Sequence, residues 1–232
     1  ERDFPQRQGS PRNGAMVKVT ELIILHTTKS GDDAIVIHTL SKEYGRRGFL
    51  VRGAGRKSVT AHLQPLSIIE AEIHESTKSR LFIARSLTSK HALNGIRTNL
   101  YKNSMTMFMS EVLFRVVREG CNEDGLYEWC EKSILLLDAM ESDFSNFHIR
   151  FLLELSVALG FSPETSDLMP FVEENYATVS QFMTASFAES MLIPLSGQVR
   201  NKICEDVLRY IEYHTESTLT INSLKVLREL FV

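Results

Sequence analysis

Hydrophobic residues in the first third of the chain occur in short runs separated by turn residues. The runs span residues 19–25, 34–40, 49–51, 66–74 and 80–87. Turn residues such as glycine, serine and aspartate separate the runs, and the connection at 75–79 between the last two runs has the length of a hairpin loop. Five short strands within about 75 residues predict a small barrel, for which a five-stranded OB-fold and an SH3-like barrel are the competing architectures.

The spacing of apolar residues becomes helical after about residue 90. One face of a first helix carries Met105, Phe108, Met109, Val112, Leu113 and Val116. Further helices are predicted at 124–140, 144–159, 175–190, 197–214 and 219–231, the second of these capped by Asp143 and ended by Gly160. The pattern predicts an α+β protein, with an OB-fold barrel over 16–92 and an α-helical domain over 93–232.

Composition and length limit the class of protein. The chain has 232 residues, 43% of them hydrophobic, which is enough for one large core or two small ones, and we favour two. No apolar run approaches the roughly 18 residues that a membrane span needs, so no membrane partner is expected. Residues 1–15 are polar without an apolar signal segment, and we expect a disordered extension before Met16. The three cysteines form neither a disulfide framework nor a C-x-x-C pair, which favours a reducing cytoplasm.

Charge is distributed unevenly along the chain. The net charge is −3, but residues 16–95 hold 12 Lys and Arg against 7 Asp and Glu, whereas residues 96–232 hold 11 against 20. A basic first domain followed by an acidic one indicates anion binding by the barrel. Uneven charge is also common in two-domain proteins, so charge alone leaves that alternative open.

The segment 42–57, KEYGRRGFLVRGAGRK, carries the strongest functional signal. It holds six cations and four glycines with one carboxylate. Such a segment is typical of a nucleic-acid groove, in which cations neutralise phosphates and aromatic rings stack on unpaired bases. The predicted DNA-binding residues are Lys42, Tyr44, Arg46, Arg47, Arg52, Arg56 and Lys57. Phe49 is predicted to fill the barrel core, and a plain solvated turn is the alternative for the glycines.

The sequence contains no recognisable catalytic or metal-binding motif. The stretch GAGRKS at 53–58 lacks the Walker spacing, because Arg56 stands where that motif requires glycine before lysine. Cys121 and Cys130 have no nearby histidine to complete a zinc site. No G-x-S-x-G elbow is present either. We therefore expect a protein that is not an enzyme and that needs no cofactor or metal.

Three stretches of this chain are similar to the bacterial DNA repair family RecO. The first comprises ELIILHTT at 21–28 and GDDAIVIHTLSKEYG at 31–45, and the second comprises FLVRGAGRK at 49–57 and HLQPL at 62–66. The third pairs FLLELSVALGF at 151–161 with SLKVLREL at 223–230. Many members of the family carry a four-cysteine zinc site after the central helix, but this chain has no cysteine between Gly160 and Ile203. The resemblance therefore does not imply a zinc site in this chain.

The resemblance implies binding to single- and double-stranded DNA, strand annealing, and mediation at the bacterial nucleoid. In that role the protein and RecR help RecA to displace single-strand binding protein (SSB). The resemblance also suggests that the acidic, Phe-ending tail of SSB is a ligand of the helical domain. The cations and aromatic residue predicted to hold this tail are Phe108, Arg115, Arg118, Lys132 and Arg150, with Leu113 and Leu136 in the pocket. The alternative function is an OB-fold scaffold that binds an acidic protein or RNA.

Overall fold

Five strands form a closed barrel in the computed structural model, which describes residues 17–53, 55–76, 81–161 and 163–230. The strands are β1 (Val17–Lys29), β2 (Ala34–Ser41), β3 (Gly45–Arg52), β4 (Ile68–His74) and β5 (Phe82–Ser89). Their order around the barrel is β1-β2-β3-β5-β4. The predicted extension at 1–15 lies outside the described residues, as do Ala54 and residues 77–80 of the predicted hairpin.

The connectivity decides between the two barrel architectures. β1, β2 and β3 are antiparallel neighbours, and β4 returns to pair with β1, which is the Greek-key order. β5 then closes the ring, antiparallel to β4 and parallel to β3. A five-stranded Greek-key barrel is the OB-fold, so that prediction is confirmed.

Helices make up most of the chain after the barrel, which confirms the α+β class. A short helix, α1 (Lys57–Thr60), lies between β3 and β4. The others are α2 (Asn94–Arg97), α3 (Leu100–Val116), α4 (Leu126–Ala139), α5 (Phe147–Ala158), α6 (Thr165–Val172), α7 (Tyr176–Thr184), α8 (Phe187–Met191), α9 (Gly197–Thr215) and α10 (Ser223–Leu230), with a 3-10 turn at Glu173–Asn175.

Capping residues explain where the helix predictions were right and wrong. Gly160 ends α5 at φ +84°, and the amides of Gly160 and Phe161 donate to the carbonyls of Val157 and Ser156, as predicted for a C′ glycine. Asp143 does not cap α5, because the helix begins at Phe147. The single helix predicted at 175–190 is two, since Ser186 and Glu189 form a capping box that starts α8. Helix α6 was not predicted, and it contains Pro170.

Two hydrophobic clusters hold the molecule together. The barrel interior contains Leu22, Ile24, Ile37, Phe49, Val51, Ile69, Ala71, Ile73 and Ala84, which confirms the core role predicted for Phe49. The second cluster contains the helical core and also Ile23, Leu25, Leu40, Leu66 and Ile68 from the barrel. Because successive strand residues face opposite sides, alternate positions of β1 fill the barrel and contact the helices. The barrel interior is therefore a cluster of its own, and the second cluster is shared by the outer side of the barrel and the helical region.

Hydrogen bonds also connect the barrel with the helical region. The Arg46 amide donates to the Cys121 carbonyl at 2.9 Å, and the Gly120 amide donates to the Arg46 carbonyl at 2.8 Å. The Ser110 hydroxyl donates to the Leu25 carbonyl. Helix α3 and the loop after it thereby cover the part of the barrel where β1, β2 and β3 lie side by side.

Candidate nucleic-acid interface

The basic segment of the sequence is divided by the fold into three places. β3 runs from Gly45 to Arg52 and rises about 3.3 Å per residue, so the cations at its two ends are about 16 Å apart. Arg52 lies at one end, Arg47 lies at the other, and Arg46 faces the helical region. These positions give the predicted residues different environments and different chemical roles.

A cleft of about 510 Å³ opens at the end of β3. β3 and β5 are paired in parallel only at Phe49 with Phe82 and Leu50 with Ile83, and beyond these pairs the strands separate. We call the opening the β3–β5 cleft. Its lining consists of Asp33, Val51, Arg52, Gly53, Arg56, Ser58, Val59, His62, Ile83, Ala84, Arg85, Ser86 and Leu87.

The cations of the β3–β5 cleft have no anionic partner within the described residues. Arg52, Arg56 and Arg85 are exposed, and none of them forms an ion pair or side-chain hydrogen bond there. Lys57 begins α1 beside them and is also exposed and unpaired in the same ranges. The acid in the lining is Asp33, whose carboxylate accepts from the Gly55 amide at 3.3 Å. Like charges that converge without a counterion are stabilised when an anion binds between them.

Backbone geometry places Arg85 in this cleft. Between the pairs Glu70–Thr88 and Glu72–Arg85, β5 contains one more residue than β4, which is a β-bulge. Ser86 in the bulge has φ +53°, a left-handed conformation that costs a non-glycine residue about 1–2 kcal/mol. Arg85 was missed in the sequence because it lies outside the 42–57 segment, 28 residues beyond Lys57, and only the pairing of β5 with β3 brings it to Arg52.

The opposite end of β3 holds an aromatic cluster. The Arg47 guanidinium lies 3.9 Å from the centre of the Phe82 ring, and the Tyr44 ring packs edge-on against Phe49 at 5.5 Å. The Tyr44 hydroxyl donates to Glu75 at 2.7 Å. Burial, together with the hydrogen bond to Glu75, raises the pKa of Tyr44 to about 12. Tyr44 is thus a fixed, half-buried part of the barrel end, and this geometry does not favour stacking of Tyr44 on a base.

Arg46 and Lys42 both contact the helical region, and for the buried Arg46 this is a correction to its predicted role. Arg46 is 4% exposed, and its guanidinium lies 4.7 Å from the centre of the Phe114 ring. Burial lowers the pKa of Arg46, and the nearby Glu119 offsets part of that effect. Lys42 is paired with Glu128 on α4 at 3.1 Å. A buried guanidinium cannot reach a phosphate, so we remove Arg46 from the DNA-binding set.

A second concave surface lies between the barrel and two helices. This junction groove, of about 500 Å³, is lined by Ile24, Leu25, His26, Thr27, Leu63, Pro65, Met107, Ser110, Glu111, Phe114, Arg115, Asn222, Ser223 and Val226. Met107 and Val226 are each 43% exposed on its walls. Glu111 is engaged, because its carboxylate accepts from the Asn222 amide at 3.0 Å and from the Ser223 amide at 2.8 Å. The groove thus offers apolar walls and an exposed cation, Arg115.

The other residues predicted to bind a partner do not share this groove. Phe108 is fully buried in the core and cannot contact a ligand, which is a correction. Arg150 is held by Glu154 at 2.7 Å and by the carbonyls of Phe182 and Ala185. Arg118 donates to the Thr215 carbonyl at 3.2 Å beside a different hollow. Lys132 is exposed on α4, away from the lining of the junction groove. Only Arg115 of the predicted set lies at this surface.

Among the described residues, no group of three or more His, Cys, Asp and Glu side chains is arranged to hold a metal ion. Cys130 and Cys204 are fully buried, and burial raises the pKa of the Cys130 thiol to about 12. A thiol with a raised pKa holds little thiolate near neutral pH. In the same part of the chain, no helix has the length and apolar content that crossing a membrane requires.

Comparison with known proteins identifies the family. Models of the N-terminal and C-terminal parts of recombination protein O match residues 16–90 and 97–168. DNA repair protein RecO of Phocaeicola vulgatus is 30% identical over 240 residues, which cover 93% of this chain and 100% of the relative. The chain belongs to the RecO family. RecO of Bacteroides fragilis is 27% identical over 241 residues, with the same coverage, and RecO of Porphyromonas gingivalis is 31% identical over 156 residues, or 64% of this chain and 63% of the relative.

Membership of the RecO family gives this protein a role in DNA repair and recombination, which confirms the family suggested by the sequence motifs. The N-terminal match covers the whole barrel and the C-terminal match begins within α2. The β3–β5 cleft lies in the N-terminal RecO region, whereas the junction groove is lined by both regions and by α10, beyond the C-terminal match.

Proposed function

We propose that this protein is a recombination mediator that binds single- and double-stranded DNA through the β3–β5 cleft and the surface around it. The observation that carries the proposal is the convergence of Arg52, Arg56 and Arg85 on one cleft without an ion pair in the described ranges. Lys57 extends the same surface. Phosphates are the anions that such a surface on an OB-fold of a DNA repair family is built to neutralise.

The same charge arrangement supports a further proposal, strand annealing. Two complementary strands repel each other, and a cationic surface that holds one strand screens this repulsion for the second. We propose that the protein anneals strands in this way without catalytic chemistry, and that it acts with RecR to load RecA on DNA covered by SSB. The family membership and the absence of a nucleophile motif in the sequence support this assignment.

The salt dependence of DNA binding tests the cleft. On single strands, each phosphate contact contributes about −0.7 to the slope of log affinity against log salt. We expect Arg52→Ala, Arg56→Ala and Arg85→Ala each to flatten the slope by about that amount, and the triple variant to flatten it by about 2 units. Lys132→Ala removes an exposed charge far from the cleft and serves as the matched control.

Three nucleic acids distinguish the proposed function from its alternatives. Binding is measured to single-stranded DNA, duplex DNA and single-stranded RNA of equal length across a range of salt concentrations. A triple variant that keeps the wild-type slope removes the cleft from the interface. Tighter binding of RNA than of either DNA supports the RNA-binding alternative, and a flat slope for all three supports a protein scaffold.

A second proposal concerns the tail of SSB. We propose that the junction groove binds this acidic, Phe-ending segment, because the exposed Met107 and Val226 can receive the aromatic ring and Arg115 can pair with the terminal carboxylate. A labelled tail peptide is titrated against the full chain. Arg115→Ala is expected to weaken binding, whereas Arg118→Ala, which changes a cation outside the groove, is the control. Equal effects of the two variants, or no saturable binding, would contradict this site.

A further inference from the structure

The surface that OB-folds commonly use for oligonucleotides is partly closed in this protein. That surface is the outer face of β2 and β3. Here the His38 ring lies 5.2 Å from the Phe114 ring, and Leu40 belongs to the core that the barrel shares with the helices. A side chain at Gly48 would meet Glu119 at 3.6 Å. A nucleic acid therefore cannot lie along the whole of this face.

The open part of the face leads into the β3–β5 cleft. Val36 pairs with Leu50, Leu50 pairs with Ile83, and all three are half-buried, so they form an apolar strip across β2, β3 and β5. Arg52 and Arg85 each stand two residues beyond the pair Leu50–Ile83. Because β3 and β5 are parallel, these arginines lie on the same side and flank the cleft where the strands separate.

The interior of the cleft has the chemistry of a base pocket. Its lining combines the apolar residues Val51, Val59, Ile83 and Leu87 with the exposed cations Arg52, Arg56 and Arg85. The volume of about 510 Å³ falls within the range of sites that enclose a small ligand, and it exceeds the space that a phosphate alone needs. The strained Ser86, at φ +53°, keeps the bulge that opens the cleft on the β5 side.

We propose that the β3–β5 cleft encloses one unstacked nucleotide, with the base against Ile83 and Val59 and the flanking phosphates on Arg52, Arg56 and Arg85. The inference rests on the proposed DNA-binding function and adds to it a base pocket. Bases of a duplex are stacked and paired, and extruding one costs a few kcal/mol. The pocket therefore makes the protein prefer single strands, a preference that phosphate contacts alone do not supply.

The test compares two polyanions of equal length and charge. One is an oligothymidylate, and the other is an oligomer of abasic deoxyribose phosphate. Both oligomers offer the same phosphates to the arginines of the cleft, but only the oligothymidylate has bases that the cleft can bury. The wild-type full chain is expected to bind the oligothymidylate about fivefold more tightly or better, a difference of about 1 kcal/mol, because the apolar lining removes part of the base surface from water.

Two pairs of variants locate the effect. Ile83→Ala removes a wall of the cleft, and Val36→Ala is its control on the same strip outside the cleft lining. Ser58→Leu fills the cleft from the exposed face of α1, and Thr60→Leu is its control on the same helix. Ile83→Ala and Ser58→Leu are expected to bring the affinity ratio of the two oligomers close to one with the salt slope unchanged, while the controls keep the wild-type ratio.

The outcomes separate the base pocket from the underlying DNA binding. A wild-type ratio near one, with both oligomers bound, overturns the base pocket and leaves the phosphate interface standing. Retention of the wild-type ratio by both Ile83→Ala and Ser58→Leu, each checked for folding by circular dichroism, also overturns it. If neither oligomer binds, the proposed function itself fails, and the base pocket fails with it.

Discussion

Arg46 and Arg52 belong to the same strand but differ in what they contribute. Arg46 is buried against Phe114, and its Nε and Nη1 atoms have no hydrogen-bond partner among the described residues. Arg52 is exposed and lines the β3–β5 cleft. Burial of a cation with incomplete hydrogen bonding lowers the stability of the fold through desolvation of its charge, whereas an exposed cation keeps its hydration and can bind phosphate.

We therefore expect Arg46→Met to act on stability and not on DNA binding. Methionine keeps the packing volume and removes the desolvated charge, so the free energy of unfolding should rise, or fall by no more than about 1 kcal/mol for the lost contact with Phe114. The salt slope of DNA binding should stay at the wild-type value. Urea denaturation and a salt titration measure the two quantities, and a slope reduced as in Arg52→Ala would place Arg46 at the DNA after all.

His148 makes stability depend on pH. It is fully buried on α5, where burial and the positive charge of Arg200 lower its pKa to about 3, against a partial opposing effect of the Ser145 backbone. The unfolded chain takes up a proton near the ordinary pKa of 6.5, whereas the folded chain does not. The contribution of His148 is complete above about pH 6.5 and is lost as the pH falls toward 3, at up to about 1.4 kcal/mol per pH unit.

The measurement is urea denaturation at several pH values between 7 and 5. The wild-type protein should lose about 2 kcal/mol of unfolding free energy between pH 6.5 and 5 through this group. His148→Leu removes the titrating group, so its stability should change less with pH over the same interval, whatever its absolute stability is. Parallel curves for the two proteins would show that His148 does not carry the dependence.

At the scale of elements, Asn146 connects the start of α5 with the end of α8 and the segment that follows it. It is 1% exposed, and its amide nitrogen donates to the carbonyls of Ser190 at 3.2 Å and Ile193 at 2.8 Å. Its side-chain oxygen accepts from Arg200 at 3.1 Å. The Asn146 side chain thus provides the hydrogen-bond donor that the buried carbonyls of Ser190 and Ile193 require.

Asn146→Ala should destabilise the protein by about 2–4 kcal/mol, because several buried partners lose their hydrogen bonds at once. Asn99→Ala is the comparison, since Asn99 caps α3 by accepting from the Lys102 amide at 3.1 Å. Loss of that cap should cost only about 1 kcal/mol. Both values come from urea denaturation, and equal costs would show that Asn146 acts as an ordinary cap.

At the scale of the whole molecule, the barrel and the helices depend on each other. The outward residues Ile23, Leu25 and Ile68 of the barrel are buried in the cluster that also forms the helical core. Separation of the two regions would expose these side chains, at a cost of about 1.5–3 kcal/mol each. We expect the full chain to unfold in one transition, and the division into an OB-fold domain over 16–92 and an α-helical domain over 93–232 remains a prediction.

Gly45 tests this dependence at the closest approach of the two regions. Its φ is +57°, and a Cβ at this position would lie 2.1 Å from the Cys121 carbonyl oxygen. Gly45→Ala must push the loop after α3 away from β3, so we expect a loss of at least about 3 kcal/mol. Gly55→Ala is the control, because its Cβ would meet only Asp33 at 3.7 Å and should change stability by less than about 1 kcal/mol.

Urea denaturation followed by the fluorescence of Trp129 measures the stability of both variants. Trp129 is the single tryptophan of the chain and stacks on Phe151 in the helical region. A substitution in the barrel that shifts this signal demonstrates coupling across the junction. An unchanged midpoint in Gly45→Ala would show that the two regions can separate without loss of the helical fold.

Local signals in the sequence determined the elements of this fold. Alternating and helical periodicities predicted the barrel and the helices after it, because they reflect which side of each element is buried. Gly160 marked the end of α5, since a left-handed C′ position favours glycine. Helix α6 was not predicted, because its short sequence contains Pro170 and proline is unfavourable inside a helix.

Only the tertiary structure decided which cations are available to bind DNA. Both faces of β3 are largely buried, one in the barrel and one toward the helices, so its pattern cannot distinguish the buried Arg46 from the exposed Arg52. Arg85 joins Arg52 because β3 and β5, separated by β4 in the sequence, pair in parallel. The sequence thus determined that the barrel is cationic, whereas contacts between distant segments determined where its free charge lies.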